Sequence, residues 1–194
     1  MPNASTSFFG WVAFLLQKYG MLFLRGTGMT LLIALTGTAL GFALGLLVAI
    51  IRTIALPEKK KADSNAGVIV KRGLLRFVHM LMNVYIQVFR GTPMIVQAVV
   101  IYYGAQYAGV FMDTTFAAVF IISINTGAYM AEIIRGGIVS VDKGQFEAAH
   151  AIGMTHWQTM TTVVLPQAIR NILPSVGNEL IVNIKDSSVL NVIS

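Results

Sequence analysis

The sequence of 194 residues contains no cysteine and only 11% charged residues, and both shortages limit what the protein can be. Without cysteine there is no disulfide, no thiol nucleophile and no thiolate metal site. Because a soluble domain carries about 25% charged residues, this chain has too few charges to cover a water-soluble globule. With 56% hydrophobic residues it is also not a disordered chain. These absences indicate an integral membrane protein.

The charges that are present are unevenly distributed along the chain. Half of the fourteen basic residues lie between Arg52 and Arg76, whereas none lies between Gly91 and Ile134. Since Lys and Arg are retained on the cytoplasmic side of membrane proteins, the basic loop 52–76 is predicted to be cytoplasmic. In this setting the net charge of +6 indicates topology rather than binding to nucleic acid.

Long uncharged runs predict where the chain crosses the bilayer. The run 26–51 exceeds the roughly 20 residues that a helix needs to span the hydrocarbon core. Three further crossings are predicted at 94–107, 114–131 and 165–194, with an irregular break near Arg90–Pro93 before the first of them. The domain 26–194 then has four spanning helices and a second cytoplasmic loop at 136–166, and residues 1–25 form an N-terminal interfacial segment.

Several ordinary features limit the possible functions. Gly37, Gly41 and Gly45 recur at every fourth position, a spacing that favours close helix packing over a direct role. His150 and His156 do not share a helix face, so no metal site is expected. The sequence has neither a hydrolase motif nor a phosphate-binding loop. If nucleotide hydrolysis drives this protein, another chain must carry it out.

The predicted cytoplasmic loop carries a regular pattern. Alanines beside Glu147 favour a helix, Gly153 permits a tight turn, and Pro166 suits the first turn of the next helix. The pattern predicts a short helix, a turn and a second helix that project from the membrane. Spacing alone leaves open whether this is a docking element for a soluble partner or a plain surface helix-turn-helix.

A second group consists of polar residues at membrane depth. Glu179 and Asp186 are seven residues apart and share one helix face, and Ser187 and Ser188 favour a locally broken helix. Lys185 is adjacent to Asp186, which makes direct pairing awkward. The acids either line a cavity or form structural pairs with Arg90 or a partner subunit, and the cost of intramembrane charge favours the cavity.

Four strings in the expected order resemble the permease subunits of bacterial ABC importers for polar amino acids, the histidine/glutamine/arginine-type family. They are residues 89–97, the Glu-Ala-Ala-x-x-x-Gly pattern at 147–153 with Leu165-Pro166, residues 165–170, and residues 185–188. The resemblance covers about 26–194 and implies an all-α membrane protein with the type I ABC importer permease fold (MetI-like). Relatives carry one more spanning helix after residue 188, so we expect a fragment or a truncated subunit.

The resemblance implies a multi-pass subunit of the bacterial plasma (inner) membrane that forms the path for a polar or basic amino acid, such as glutamine, arginine, lysine, histidine or glutamate. It implies that this chain is not an enzyme and has no cofactor, because ATP and Mg are held by separate ATPase subunits. The other implied partners are a second permease subunit, identical or different, an extracytoplasmic amino acid binding protein and the lipid bilayer.

The family motifs also imply roles for individual residues. Coupling to the ATPase is expected from Glu147, Ala148, Ala149, Gly153, Leu165 and Pro166. Acceptors for the substrate ammonium and donors for its carboxylate are expected among Glu179, Asp186, Ser187, Ser188, Thr92 and Gln87. Structural or gating roles are expected for Arg90, Gly91, Pro93 and Lys185.

Two other classes of function compete with this interpretation. An amino acid carrier or channel subunit driven by an ion gradient needs no ATPase, but four crossings without an internal repeat are few for such a carrier. A structural membrane scaffold gains little from buried acids such as Glu179. Gln87 is an amide where some relatives look acidic, so a neutral substrate such as glutamine is as plausible as a basic one.

Overall fold

The structure is a computed structural model that describes residues 7–53 and 66–193, and these residues form helices and turns without a strand. The middle of the predicted basic loop, 54–65, the first six residues and Ser194 lie outside the described residues. The predicted all-α architecture is confirmed. Its α-helices are α1 (Phe8–Thr53), α2 (Ala66–Gly91), α3 (Met94–Tyr107), α4 (Thr114–Val139), α5 (Lys143–Ala151), α6 (His156–Gln158) and α7 (Leu165–Asp186). A π-helix, Thr159–Val164, joins α6 to α7, and a 3₁₀ helix, Val189–Ile193, follows α7.

Helix α4 forms the centre of the bundle, and α1 packs along it. The three regularly spaced glycines of α1 face three α4 side chains at the same spacing. The pairs are Gly37–Ile122, Gly41–Thr126 and Gly45–Met130. A Cβ atom at Gly41 would lie 2.6 Å from the Cβ of Thr126, closer than real Cβ atoms approach. The close-packing interpretation of the glycine repeat is therefore confirmed.

The two ends of the bundle differ in the residues that they gather. At one end Arg52 of α1 forms an ion pair with Glu132 of α4, and Nε2 of His79 lies 3.0 Å from the carbonyl oxygen of Ile51. At the other end the Tyr103 hydroxyl donates to the carbonyl of Val192 at 3.0 Å. The end of α1, the basic start of α2 and the loop after α4 thus share one end of the bundle, and the cytoplasmic position of that end stays a prediction.

Two of the described helices, α1 and α4, are each long and apolar enough to cross a membrane. Helices α2 and α3 meet this criterion only together, and they are bent by 114° at the predicted break. With 14 residues, α3 spans about 21 Å and is too short to cross alone. The crossing predicted at 94–107 therefore needs α2 as well. Helix α7 has 22 residues, but its polar residues keep it below the criterion.

Helix α1 runs without a break through the predicted boundary between residues 25 and 26. Its 46 residues correspond to about 69 Å, more than twice the hydrocarbon thickness of a bilayer. The buried residues of α1 begin at Ile33 and end at Ala49, and an added Cβ at Gly20, Gly26 or Gly28 would have nothing within 4 Å, so the first part of the helix extends beyond the bundle. An interfacial position for this first part stays a prediction.

Candidate transport and coupling sites

The loop after α4 folds as the predicted helix, turn and second helix. Helix α5 begins after Asp142, whose carboxylate accepts from the Gly144 amide at 2.6 Å. It ends in a pair of backbone bonds, from the Met154 amide to the Ala149 carbonyl and from the Gly153 amide to the His150 carbonyl, both at 3.0 Å. This is the Schellman arrangement, which needs a left-handed residue, and Gly153 has φ of +80°.

Helix α6 starts at His156, three residues after that glycine. The Thr155 hydroxyl accepts from the Gln158 amide at 3.3 Å, and the Gln158 side chain accepts from the Thr155 amide at 2.9 Å. This reciprocal capping box fixes the start of the helix. The turn between α5 and α6 is therefore specified by local sequence at both of its ends.

One face of this module is anchored and the other is free. Val141, Val164 and Ala168 form a buried cluster on which Phe146 packs, and Ala149 is buried on the same side of α5. Glu147 and Ala148 are exposed, and Glu147 forms no ion pair within the described part of the chain. Two large apolar side chains also face outward: Ile152 is 78% exposed and Trp157 is 76% exposed.

The helix that returns to the bundle is widened just before Pro166. Proline has no amide hydrogen, and its ring collides with the carbonyl four residues earlier. Residues Thr159–Val164 take up the π-helical geometry that relieves such a collision. Leu165 is half-buried and Pro166 is exposed at the start of α7. The predicted first-turn position of Pro166 is therefore observed, although the π-helix links α6 to α7 without a break.

Glu179 is the most deeply placed acid of α7, with 7% of its surface exposed. The charges of Asp186 and Arg90 both act on its carboxylate, but neither residue forms a direct ion pair with it within the described residues. The Arg90 guanidinium lies over the ring of Tyr129, 5.4 Å from its centroid. Asp186 and Arg90 are thus each within electrostatic reach of Glu179, whereas Lys185 is exposed.

Helix α7 ends at Asp186, where a break was expected. The hydroxyls of Ser187 and Ser188 donate back to the carbonyls of Ile184 and Lys185 at 2.7 and 2.6 Å. Both serines line an open groove of about 520 Å³ at the end of the bundle opposite the α5–α6 loop. Its other polar lining residues are Thr114, Thr115 and Asn191.

Thr92 and Gln87 lie elsewhere. Thr92 follows α2, next to Gly91 and before Pro93, and it lines a separate hollow of about 170 Å³. Gln87 is exposed on α2, one turn before Arg90. The residues predicted for the substrate therefore fall in more than one place, and the described residues show no single cavity that contains them all.

A buried hydrogen-bonded cluster around Asn183 joins three helices at the middle of the bundle. Asn183 is one of the polar residues that the sequence places at membrane depth, but its partners on α1 and α4 were not predicted. The Asn183 amide donates to the hydroxyls of Thr38 at 2.8 Å and of Thr126 at 3.0 Å. Asn183 is only 1% exposed. The sequence offers one signal for it, because Asn183 lies four residues after Glu179 and so shares its helix face.

A second polar cluster, also missed, lies at the break between α2 and α3. The Gln97 side-chain amide donates to the carbonyls of Phe89 and Thr92, both at 2.9 Å. The Asn125 amide donates to the side-chain oxygen of Gln97 at 2.9 Å. Amides inside otherwise apolar runs, as at Gln97 and Asn125, are the available sequence signal. No group of three or more metal-ligating side chains occurs in the described ranges.

Residues 65–194 match the family described as binding-protein-dependent transport system inner membrane component. The chain belongs to this family. It is 40% identical over 174 residues to the glutamine transport system permease protein GlnP of Escherichia coli (strain K12), covering 89% of this chain and 71% of that protein. The family assignment makes the chain a membrane permease component.

Solved structures support the same fold. A structure titled "Crystal structure of an amino acid ABC transporter with histidines" superposes with a TM-score of 0.80 at 37% identity, covering 97% of this chain and 77% of that chain. An inward-facing MetNI methionine ABC transporter superposes with a TM-score of 0.62 at 22% identity, covering 88% and 74%, and is informative for the fold alone. The expected type I importer permease fold is confirmed.

Proposed function

We propose that this chain lines the path of an ATP-driven importer of polar amino acids, and that its α5–α6 loop docks on a separate ATPase subunit. The family membership supports an importer component. Relatives named for glutamine transport, and a structural neighbour named as an amino acid transporter, support an amino acid as the substrate. A second permease subunit and an extracytoplasmic binding protein complete the proposed complex, with ATP and Mg on the ATPase.

The observation that carries the proposal is the exposed face of the α5–α6 loop. Ile152 and Trp157 are more than three-quarters exposed on a polar loop that projects from the bundle, and exposed apolar groups of this size mark an interaction site. Glu147 on the neighbouring surface offers a carboxylate for a charge-assisted bond that orients the partner. The Schellman turn and the capping box hold this face in one shape, as a part that transmits movement requires.

The substrate side of the proposal depends on the acids of α7. A zwitterionic amino acid needs acceptors for its ammonium group, and Glu179 with Asp186 provides them at one end of the path. Ser187 and Ser188, which follow Asp186, would donate to the carboxylate of the substrate after releasing the carbonyls of Ile184 and Lys185. Thr92 lines a separate hollow and would meet the substrate at another point of the path. Gln87 is exposed on α2, apart from these acids. As an amide it adds no negative charge to the path, which favours glutamine and other neutral polar amino acids among the substrates.

The test is ATP-driven uptake in proteoliposomes containing this permease with its ATPase and binding protein. We expect ATP-dependent uptake of at least one of four labelled amino acids: glutamine, arginine, histidine and glutamate. Gly153→Asp is expected to lower that uptake at least tenfold, because a side chain at φ of +80° strains the turn that presents Ile152.

Gly109→Asp is the matched control. Gly109 has φ of +82° at the end of α3, in the same Schellman arrangement and with equally open space around it, but it lies at the other end of the bundle. Its variant is expected to import normally. Uptake driven by a proton or sodium gradient without ATP would refute the proposed function, and normal import by Gly153→Asp would remove the α5–α6 loop from coupling.

A further inference from the structure

We propose that Gln97 and Asn125 are positioning residues that hold the break between α2 and α3 in the geometry that keeps Arg90 over the ring of Tyr129, on the side of the bundle where it acts on Glu179. The inference rests on the proposed function, because Glu179 is taken there as part of the substrate path. The side-chain amides of Gln97 and Asn125 contact neither Glu179 nor Asp186. Their proposed role is to fix the backbone next to Arg90.

The break leaves the carbonyl groups at the end of α2 without helical donors, and those of Phe89 and Thr92 are the ones that a side chain satisfies. Pro93 follows Phe89 by four residues and has no amide hydrogen, so the Phe89 carbonyl loses its regular partner. The Val96 amide bonds to the carbonyl of Pro93 instead of the carbonyl of Thr92, which is also freed. At membrane depth each unsatisfied carbonyl costs several kcal/mol, so irregular backbone persists there only when side chains satisfy it.

Gln97 supplies a donor to the carbonyls of both Phe89 and Thr92. Its Nε2 atom lies 2.9 Å from the carbonyl oxygens of Phe89 and Thr92 and 2.9 Å from the Thr92 hydroxyl. Asn125 orients this amide, because its own Nδ2 donates to the Gln97 side-chain oxygen at 2.9 Å and to the Phe89 carbonyl at 3.3 Å. Both amides are buried, so water does not compete with them.

Helix α4 fixes the position of the break relative to the charges. Asn125 and Tyr129 are one turn apart on α4, where Asn125 holds the Phe89 carbonyl and the Tyr129 ring lies under the guanidinium of Arg90, the next residue. Thr126, adjacent to Asn125, bonds to Asn183, which lies one turn after Glu179 on α7. The turn of α4 from Asn125 to Tyr129 therefore fixes Arg90 through the Phe89 carbonyl and the Tyr129 ring, and the same turn holds α7 one turn away from Glu179.

The test uses two shape-conserving variants, Gln97→Met and Asn125→Leu, in the complete importer. The readout is the uptake rate of labelled glutamine and arginine at saturating loaded binding protein. We expect each variant to assemble and to keep the basal ATPase rate, and the uptake rate to fall about tenfold. Tyr85→Phe is the matched control: it removes the 2.6 Å bond from α2 to the Ile124 carbonyl of α4 without touching the break, and its uptake is expected to stay within about twofold.

Epistasis with Arg90 separates positioning from general packing. If Gln97 and Asn125 act through Arg90, neither variant lowers uptake further in an Arg90→Ala background, because interacting residues are not additive. If an amide variant lowers uptake by the same factor in the Arg90→Ala background as in the unaltered importer, the inference is overturned. Normal uptake by both amide variants, or an equal loss of uptake in Tyr85→Phe, would also overturn it. Failure of both amide variants to assemble, with normal assembly of Tyr85→Phe, would reduce the amides to a structural role. Absent uptake by the unaltered importer counts against the proposed function instead.

Discussion

On its α1 side, helix α4 is packed by glycines that leave no room for a methyl group, whereas its contacts with α2, α3 and α7 include buried amide and hydroxyl side chains. The glycine contact has a repeat of four residues and follows one straight seam. The polar contacts gather where the neighbouring helix is interrupted or carries a charge, at the α2–α3 break and beside Glu179.

The difference indicates that close packing holds the helices together, whereas the polar contacts orient particular side chains and backbone groups. Apolar burial does not drive helices together inside lipid, so close backbone approach is what holds α1 on α4. The hydrogen-bonded side adds less stability per contact, but it fixes directions in space, since each amide accepts and donates along defined lines. We expect substitutions in the seam to act on stability, and substitutions in the polar clusters to act chiefly on function.

The largest expected effect is that of Gly45→Ala in the seam. A Cβ atom there would contact Met130 and lie 2.8 Å from the Ala131 amide nitrogen and 2.9 Å from the Gly127 carbonyl oxygen. Backbone atoms cannot yield cheaply, so we expect a loss of about 3 kcal/mol in unfolding free energy, measured by denaturation of the purified complex in detergent.

The control for the seam is Gly28→Ala, which is on the same helix and has nothing within 4 Å of an added Cβ. Alanine has the higher helix propensity, so this variant is expected to be as stable as the parent or slightly more stable. Equal destabilisation by Gly28→Ala would show that the seam has no special role.

A smaller effect is expected from Asn183→Leu in the three-helix cluster. The variant removes the hydrogen bonds to Thr38 and Thr126 while keeping a side chain of similar size. Such bonds contribute about 0.6 kcal/mol each inside membranes, and the two freed hydroxyls can bond to their own helix, so we expect a loss of about 1 kcal/mol.

Thr36→Val provides the comparison for Asn183. The Thr36 hydroxyl is exposed and bonds only to carbonyls of its own helix, so its loss should leave stability nearly unchanged. If Asn183→Leu lowered the unfolding free energy by about 3 kcal/mol, the polar cluster would stabilise the bundle as much as the glycine seam does, and the two sides of α4 would not differ in this respect.

Patterns that act through local geometry were predictable from the sequence. The glycine repeat, the break before Pro93, the turn at Gly153 and the position of Pro166 each depend on the backbone preferences of one or two residues. The same is true of the end of α7 beside Ser187. These features need no knowledge of distant partners, which is why composition and spacing are sufficient for them.

Features that join distant parts of the chain were not predictable in the same way. Gln97 and Asn125 are 28 residues apart, and Thr38 and Asn183 are 145 apart, and an amide in an apolar run does not indicate its partner. The same reason explains the predicted substrate residues. Thr92 and Ser188 each have a hydroxyl group that can donate, but the sequence did not show that they line different hollows. The boundary predicted between residues 25 and 26 depends on the start of the uncharged run after Arg25, whereas α1 continues through it as one helix.

The smallest expected effect concerns the ion pair between Arg52 and Glu132 at the end of the bundle that carries the α5–α6 loop. Both side chains are partly exposed, at 23% and 18%, and pairs in that setting contribute at most about 1 kcal/mol. Arg52→Gln is expected to lower the unfolding free energy by about 0.5 kcal/mol at low salt. Arg135→Gln removes a bond to the same carboxylate from within α4, so it does not join helices and should change stability less. Both effects should shrink as salt screens the charges. If Arg52→Gln cost as much as Gly45→Ala and stayed insensitive to salt, α1 would be held at its end rather than along its seam.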